Sequence, residues 1–275
     1  MASAALELLR TSIAVAQRIN PITPHHHVVW CVLSAKNKDG LPELSAEDRL
    51  SFFHAVRDTQ EKITTETGIT DFNINWEEGC GKPVPGGLDS WTRYVHVVPR
   101  MVGDLEGDAV HELLDRWTWS GGMIVQPEAE PWPCDAKRKD RTPEIMAAEA
   151  AQFRQMLSSA GIPKNMAACA DGFKFSHIPI ASGLTFFVSE FGSTVAFVNL
   201  RPFRRGHVLL SPRRCVARLR DLTRVEYEDL IDSAGRLGDA LRLVEFPRGF
   251  EFSVQDGPLA SQSIPHVHIH MIPRI

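Results

Sequence analysis

The sequence predicts an α+β fold of antiparallel sheet with packed helices, laid out as two similar halves joined by a linker. Three observations carry this reading. Apolar residues alternate over short segments in both halves, two helices open with matching caps, and landmarks recur in the same order along the chain. WTRYVHVVPR (91–100) lies over PHVHIHMIPRI (265–275), with Pro99-Arg100 on Pro273-Arg274 and His96 on His270. Upstream, HHVVWCVLS (26–34) lies over GHVLLSPRR (206–214), which sets His27 on His207, and FNIN (72–75) lies over FSVQ (252–255), which sets Asn75 on Gln255.

Each half also holds a helix. Ser45 and Thr223 are predicted caps, and Asp48 and Glu226 three positions on can reach back to the cap amide. Leu50, Phe53 and Val56 in one helix, and Leu230, Ile231, Ala234 and Leu237 in the other, recur at helical spacing. A third helix is predicted after the N-cap Thr142, with Pro143 at its first position and Gly161 as its stop. Before it, residues 118–141 are rich in Pro, Gly, Trp and charge without periodicity, as in a long loop. The opening MASAALELLRTSIAVAQRIN lacks the apolar block of a secretion signal and reads as a helix. The expected division is a first domain at 1–105, a linker with its helix at 106–170 and a second domain at 171–275.

Composition bounds the function. With 43% apolar residues in 275 and no apolar run of membrane length, a soluble protein without a membrane partner is expected. Five cysteines, an odd number without C-x-x-C spacing, argue for a reducing compartment and against a structural zinc site. Cytoplasm is the expected location, with mitochondrion and nucleus left open. The net charge is −4, yet residues 171–275 carry an excess of positive charge, concentrated in eight arginines between Arg201 and Arg224. Such a cluster is either a solvated face or a seat for an anion.

The segment HVHIHMI has the period of a strand, so His266, His268 and His270 are predicted on one face and Val267, Ile269 and Met271 on the other. Three imidazoles in register admit two chemistries. They could share a transition metal, with a further ligand from elsewhere; Asp256 is the carboxylate that stands out. Alternatively, one ring attacks phosphorus while its neighbours orient it and neutralise charge on the phosphoryl oxygens. Imidazole suits this because its ordinary pKa of about 6.5 leaves it mostly neutral at pH 7.

FSVQDGPLASQSIPHVHIHMIPR (252–274) resembles the signature of the histidine-triad (HIT) superfamily, and within it the fragile-histidine-triad branch, which shares the Gln-Asp-Gly-Pro turn and a Gln-Ser pair before the triad. FKFSHIPIASGLTFFVSEFGSTVAFVNLRPFRRGHVLLSPRR (173–214) is similar to the preceding part of that branch. The resemblance implies two HIT-like repeats forming an intrachain pseudodimer, and hydrolysis of dinucleoside polyphosphates such as diadenosine triphosphate. No metal and no cofactor is implied. His268 would be the nucleophile that forms a nucleotidyl-histidine intermediate, His270 would bond phosphate oxygens, and His266 with His207 would hold the nucleophile's ring. Gln255 would contact the polyphosphate, and Ser261, Gln262, Ser263 and Ile264 would line its path. Asn199 would bind ribose, and Phe175 and Phe197 would border the base.

The first half departs from this pattern. Thr92 and Tyr94 stand where His266 and His268 do, and only His96 remains, so residues 1–105 are expected to keep the fold without the catalytic centre. Members of the branch continue past Pro-Arg with a segment that helps set specificity, a role expected here to fall to the linker, to the first half or to nothing. Hydrolysis of another nucleotide-phosphate bond (phosphoramidate, adenylated end or RNA cap) and a nucleotide-binding scaffold stay open, with RNA the less favoured partner.

Overall fold

The computed structural model describes residues 7–10, 14–19, 29–34, 44–79, 94–105, 109–110 and 137–274, with side chains from residue 44 onward except at Gly79 and Tyr94. Two compact units emerge, Met1–Trp132 with Gln255–Gln262, and Pro133–Val254 with Ser263–Ile275. The connecting helix thus belongs with the second unit, and residues 255–262 with the first.

In the first unit the described opening residues, 7–10 and 14–19, are strands rather than the expected helix. They form β1 (Glu7–Arg10) and β2 (Ala14–Ile19), antiparallel with Arg10 opposite Val15, and β2 runs in full register along β3 (Val29–Ser34). Helix propensity is a weak preference, and a strand edge along β3 offers this segment's amides and carbonyls partners that a short helix would have to supply alone. α1 (Ala46–Thr67) follows, with Ser45 accepting from the Asp48 amide at 3.1 Å and Gly68 closing the helix at φ 75°, a left-handed cap that glycine adopts without strain. It buries Phe52, Phe53, Val56 and Ile63, and the Phe53 ring meets Trp76 of β4 (Asp71–Gly79) edge-on at 5.1 Å. β4 pairs with β5 (Tyr94–Arg100), giving the order β1-β2-β3-β5-β4.

Arg100 ends β5 as one of the most buried side chains of the protein. It donates twice to Asp104 at 3.0 Å, once to the Leu105 carbonyl at 2.8 Å and once to the Asn73 carboxamide. Asn73 in turn donates to the Ala260 carbonyl at 3.1 Å, and Asp71 accepts from the Leu259 amide at 2.8 Å. Burial pushes the Asp104 carboxyl up, but the Arg100 guanidinium and the Met101 and Leu105 amides outweigh it and hold it below the ordinary carboxylate range.

The second unit begins with α2 (Pro143–Ser159), capped by Thr142 and opened by Pro143 as the sequence predicts. Its buried stripe is Met146, Ala150, Phe153 and Leu157, and Phe153 stacks on Phe186 at 4.7 Å. A two-residue hairpin, β6 (Lys174–Phe175) and β7 (Ile178–Pro179), turns at Ser176, whose φ is 57°. The sheet that follows comprises β8 (Thr185–Val188), β9 (Thr194–Val198), β10 (Val208–Pro212), β11 (Gly249–Asp256) and β12 (Ile269–Pro273), antiparallel in the order β8-β9-β10-β12-β11. α3 (Arg224–Val244) lies between β10 and β11 in the chain and opens with the predicted capping box of Thr223 and Glu226. Asp229 of α3 accepts from the hydroxyls of Ser189, Ser193 and Thr194, which ties the β8–β9 hairpin to the helix. Among the described residues no helix is long and apolar enough to cross a membrane.

The strands of each unit follow the same order, with the helix entering at the same point of each. Their ladders also adjust the alignment of the two halves. Asn75 stands opposite His96, and Ser253 opposite His270. With His96 set on His270, Asn75 falls on Ser253 rather than on Gln255. A two-residue slip keeps each side chain on its face, so hydrophobic alternation cannot detect it. His27 lies outside the described residues. Within the arginine cluster, Arg201 pairs with Asp140, Arg205 with Glu245, Arg214 with Glu226 and Arg224 with Glu228.

An Asp104→Ala change leaves the Arg100 cation buried without its carboxylate, at an expected cost of about 3–5 kcal/mol. Urea unfolding of the variant checks this, and a midpoint equal to that of the unchanged protein would contradict it.

Candidate active site

The histidines gather at the junction of β10 and β12, but not as a continuous strand. β12 begins at Ile269, so of the three only His270 sits in the ladder, opposite Leu209 and Ser253. The preceding residues leave the sheet because their backbone groups are used elsewhere. The Val267 amide donates to the Val216 carbonyl at 2.7 Å, and the Val267 carbonyl accepts from the Ser211 hydroxyl at 2.8 Å.

The tautomer of each ring follows from partners that can act in only one way. The Ser176 amide donates to His266 Nδ1 at 2.8 Å, so the proton of neutral His266 sits on Nε2, which donates to the Pro212 carbonyl at 2.8 Å. His268 Nδ1 lies 2.7 Å from the His266 carbonyl oxygen, an acceptor. Nδ1 therefore carries the His268 proton and Nε2 keeps the lone pair. The Phe203 amide donates to His207 Nδ1 at 3.0 Å, so His207 Nε2 is protonated and donates to His270 Nδ1 at 3.0 Å. In neutral His270 the remaining proton then lies on Nε2, a donor. The Asn199 carboxamide nitrogen stands 3.2 Å from His207 Nε2; with both groups bearing protons, this is a packing contact.

All of this is enclosed. His266, His268 and His207 are 0%, 4% and 0% exposed, whereas His270 is only partly buried. Phe175 stacks on His266 at 5.3 Å and presents its edge to His268 at 5.0 Å, and His268 meets His270 at 4.7 Å between centroids. Burial pushes the His268 imidazole down to about 4, against the smaller opposing effect of its bond to the His266 carbonyl. Burial lowers His266 as well.

The remaining predicted residues divide into groups. Phe175 and Phe197 lie in one buried cluster with Ala170, Phe173, Val195 and Leu209, and Ile264 packs on it. Asn199 follows β9 and accepts from the Arg201 amide through Oδ1 at 3.0 Å. Gln255 is buried at the end of β11, Gln262 accepts from the Gly257 amide at 2.9 Å, Ser261 has a φ of 69°, and Ser263 is exposed. Of these, Gln255, Ser261 and Gln262 belong to the first unit. The His207 ring bonds to His270, and the His266 carbonyl accepts from His268 Nδ1. Sequence reasoning missed Ser176, Pro212 and Phe203, whose backbone groups set the tautomers and leave no side-chain signature. Gly206 shows why a glycine precedes His207: its φ is 84°, and a Cβ there would come within 2.6 Å of the Phe246 ring. Among the described residues no group of three or more His, Cys, Asp or Glu side chains is placed to hold a metal.

Residues 184–275 match the family model described as HIT domain. A bifunctional bis(5'-adenosyl)-triphosphatase/adenylylsulfatase of Arabidopsis thaliana is 36% identical over 121 residues, which cover 44% of this chain and 66% of that protein. A bis(5'-adenosyl)-triphosphatase of Dictyostelium discoideum is 45% identical over 89 residues, 32% of this chain and 58% of that protein. The matched stretches thus span between about half and two thirds of such relatives. A solved structure of a GalT-like protein from Arabidopsis thaliana aligns with 99% of this chain and 79% of its own at a TM-score of 0.56 and 11% identity, a likeness of fold alone.

With its pKa at about 4, the His268 ring stays neutral across the physiological range and protonates only as pH falls through that value. In ¹⁵N-labelled protein its Nε2 is expected to keep the shift of an unprotonated nitrogen from pH 7.5 down to about pH 5. A titration centred near 6.5 would contradict the burial argument.

Proposed function

We propose that the HIT domain at 184–275 hydrolyses dinucleoside polyphosphates of the diadenosine triphosphate kind through a nucleotidyl-histidine intermediate on His268. One observation carries this reading: Nδ1–H of His268 is committed to the His266 carbonyl, which leaves an unprotonated Nε2 beside a ring, His270, that presents a donor. Relatives named bis(5'-adenosyl)-triphosphatase support the substrate class.

In the first step Nε2 attacks a phosphorus atom of the bound substrate. The N–P bond forms as the bridging P–O bond breaks, and the rest of the polyphosphate leaves with the electron pair of that bond. In the second step water attacks the same phosphorus, the N–P bond breaks, a proton is released, and His268 returns to its neutral form. His270 Nε2–H stabilises charge on a non-bridging phosphoryl oxygen in both steps. His207 keeps His270 in the donor tautomer, and His266 fixes the nucleophile through its carbonyl. By the resemblance, Gln255, Ser261, Gln262, Ser263 and Ile264 line the phosphate path, Asn199 binds ribose, and Phe175 with Phe197 borders the base.

The first unit is read as a degenerate copy. Supporting this are the shared strand order, the caps Ser45 and Thr223, and ladders that match once His96 is set on His270. The same reading carries an intrachain pseudodimer that sediments as a monomer.

Purified protein is expected to cleave diadenosine triphosphate with or without a chelator. His268→Asn should lower turnover on the order of 10³-fold or more. Acid-quenched reactions on radiolabelled substrate should leave nucleotide bound to the wild type and none to the variant. Turnover that survives in the variant, or that the chelator abolishes, would sink the covalent reading.

A further inference from the structure

Residues 137–141 were expected to close a structureless linker, yet they dock on the β9–β10 connection, which carries both Asn199 and His207. The Arg141 amide donates to the Leu200 carbonyl at 3.0 Å. Its guanidinium donates through Nε (3.0 Å) and Nη2 to the Asn199 carbonyl and through Nη1 to Glu149 of α2. Asp140 pairs with Arg201 at 2.7 Å. The Arg138 guanidinium lies 4.1 Å from the centroid of the Phe203 ring and reaches the Arg201 carbonyl at 3.4 Å. Phe203 in turn lies flat on His207, with centroids 5.2 Å apart and planes 6° apart, and donates its amide to His207 Nδ1.

We propose that Arg138 and Arg141 are positioning residues for the hydrolytic site, Arg138 by clamping Phe203 against His207 and Arg141 by fixing the backbone that carries Asn199. The inference rests on the hydrolase reading above, and neither arginine is assigned contact with substrate. A guanidinium suits both tasks. Its planar fork lets two N–H groups converge on one carbonyl while a third reaches a carboxylate, and its face is attracted to an aromatic ring. The sequence of effects runs one way. Arg138 holds the Phe203 ring; ring and amide together set the plane and tautomer of His207; His207 Nε2–H sets the tautomer of His270; and that decides whether His270 offers a donor toward developing phosphoryl charge. Arg141 acts on the other arm of the connection, where displacement of the Asn199 backbone would move its carboxamide.

Arg138→Met and Arg138→Lys, with Arg141→Met and Arg141→Lys, test this on the full chain with diadenosine triphosphate. Arg138→Met is expected to lower kcat about 5- to 30-fold with KM within about twofold, and Arg138→Lys to recover part of the loss. Arg141→Met is expected to raise KM by about 5- to 30-fold with the smaller effect on kcat, and Arg141→Lys to recover less, since an ammonium cannot reproduce the fork. A purely structural role would lower the unfolding midpoint while leaving kcat per folded molecule and KM unchanged, and that outcome overturns the proposal. The ¹H–¹⁵N resonance of His207 Nε2–H supplies a readout independent of turnover. Loss or displacement of that resonance in Arg138→Met upholds the clamp, and an unchanged resonance overturns it. Should the unchanged protein show no hydrolysis, the hydrolase reading falls by itself and the resonance alone decides the clamp.

Discussion

The bond from His268 Nδ1–H to the carbonyl two residues earlier in its own chain is the constraint on which the site depends. It does in one contact what a separate carboxylate does in many catalytic histidines: it fixes both the tautomer and the direction of the ring. The contact belongs to a segment that leaves the ladder. Had β12 begun at His266, the Val267 backbone would have been paired within the sheet. Instead its amide and carbonyl are taken by Val216 and Ser211, which holds this residue outside the ladder with both backbone groups paired.

From that point the site is a set of forced choices. Ser176 and Phe203 offer amides, which only donate; Pro212 and His266 offer carbonyls, which only accept. The rings of His266, His268 and His207 each have a nitrogen committed by such a partner, and His270 inherits the consequence through His207. An imidazole beside a freely rotating hydroxyl would have been ambiguous; one beside a backbone group is not. The arrangement therefore needs close packing more than it needs charge, and the aromatic rings of Phe175 and Phe203, laid flat against His266 and His207, supply it.

What the sequence made legible was local or periodic. The capping box of Thr223 and Glu226, the proline start of α2 and the alternation around His270 are each written within a few residues. What it left unread depends on distant partners. β1 and β2 carry a composition that suits a helix, and only pairing along β3 decides otherwise. The start of β12 is set by Ser211 and Val216, more than fifty positions upstream. The slip between Asn75 and Gln255 is invisible to a period of two. The docking of Arg138 and Arg141 falls in a stretch whose lack of periodicity suggested only a long loop. Site residues named from the triad are brought together by the fold, while their partners, chiefly main-chain groups, have no code in side chains.

On the proposed mechanism, burial of His268 bears on both chemical steps. An imidazole whose pKa is pushed to about 4 is a weaker base, and by the usual relation between basicity and nucleophilicity it attacks phosphorus less eagerly than a solvated one. It would also be the better leaving group, so a nucleotidyl adduct on it would open more readily to water. At pH 7 the ordinary ring is roughly a quarter protonated, so full neutrality recovers only a small factor. On that mechanism the lowered basicity would favour the second step, the one hydrolysis requires. Desolvation would make the proposed attack workable, because a buried, unprotonated imidazole packed by the Phe175 and His270 rings sheds little bound water to reach phosphorus, and a His270 donor would meet the charge that develops there.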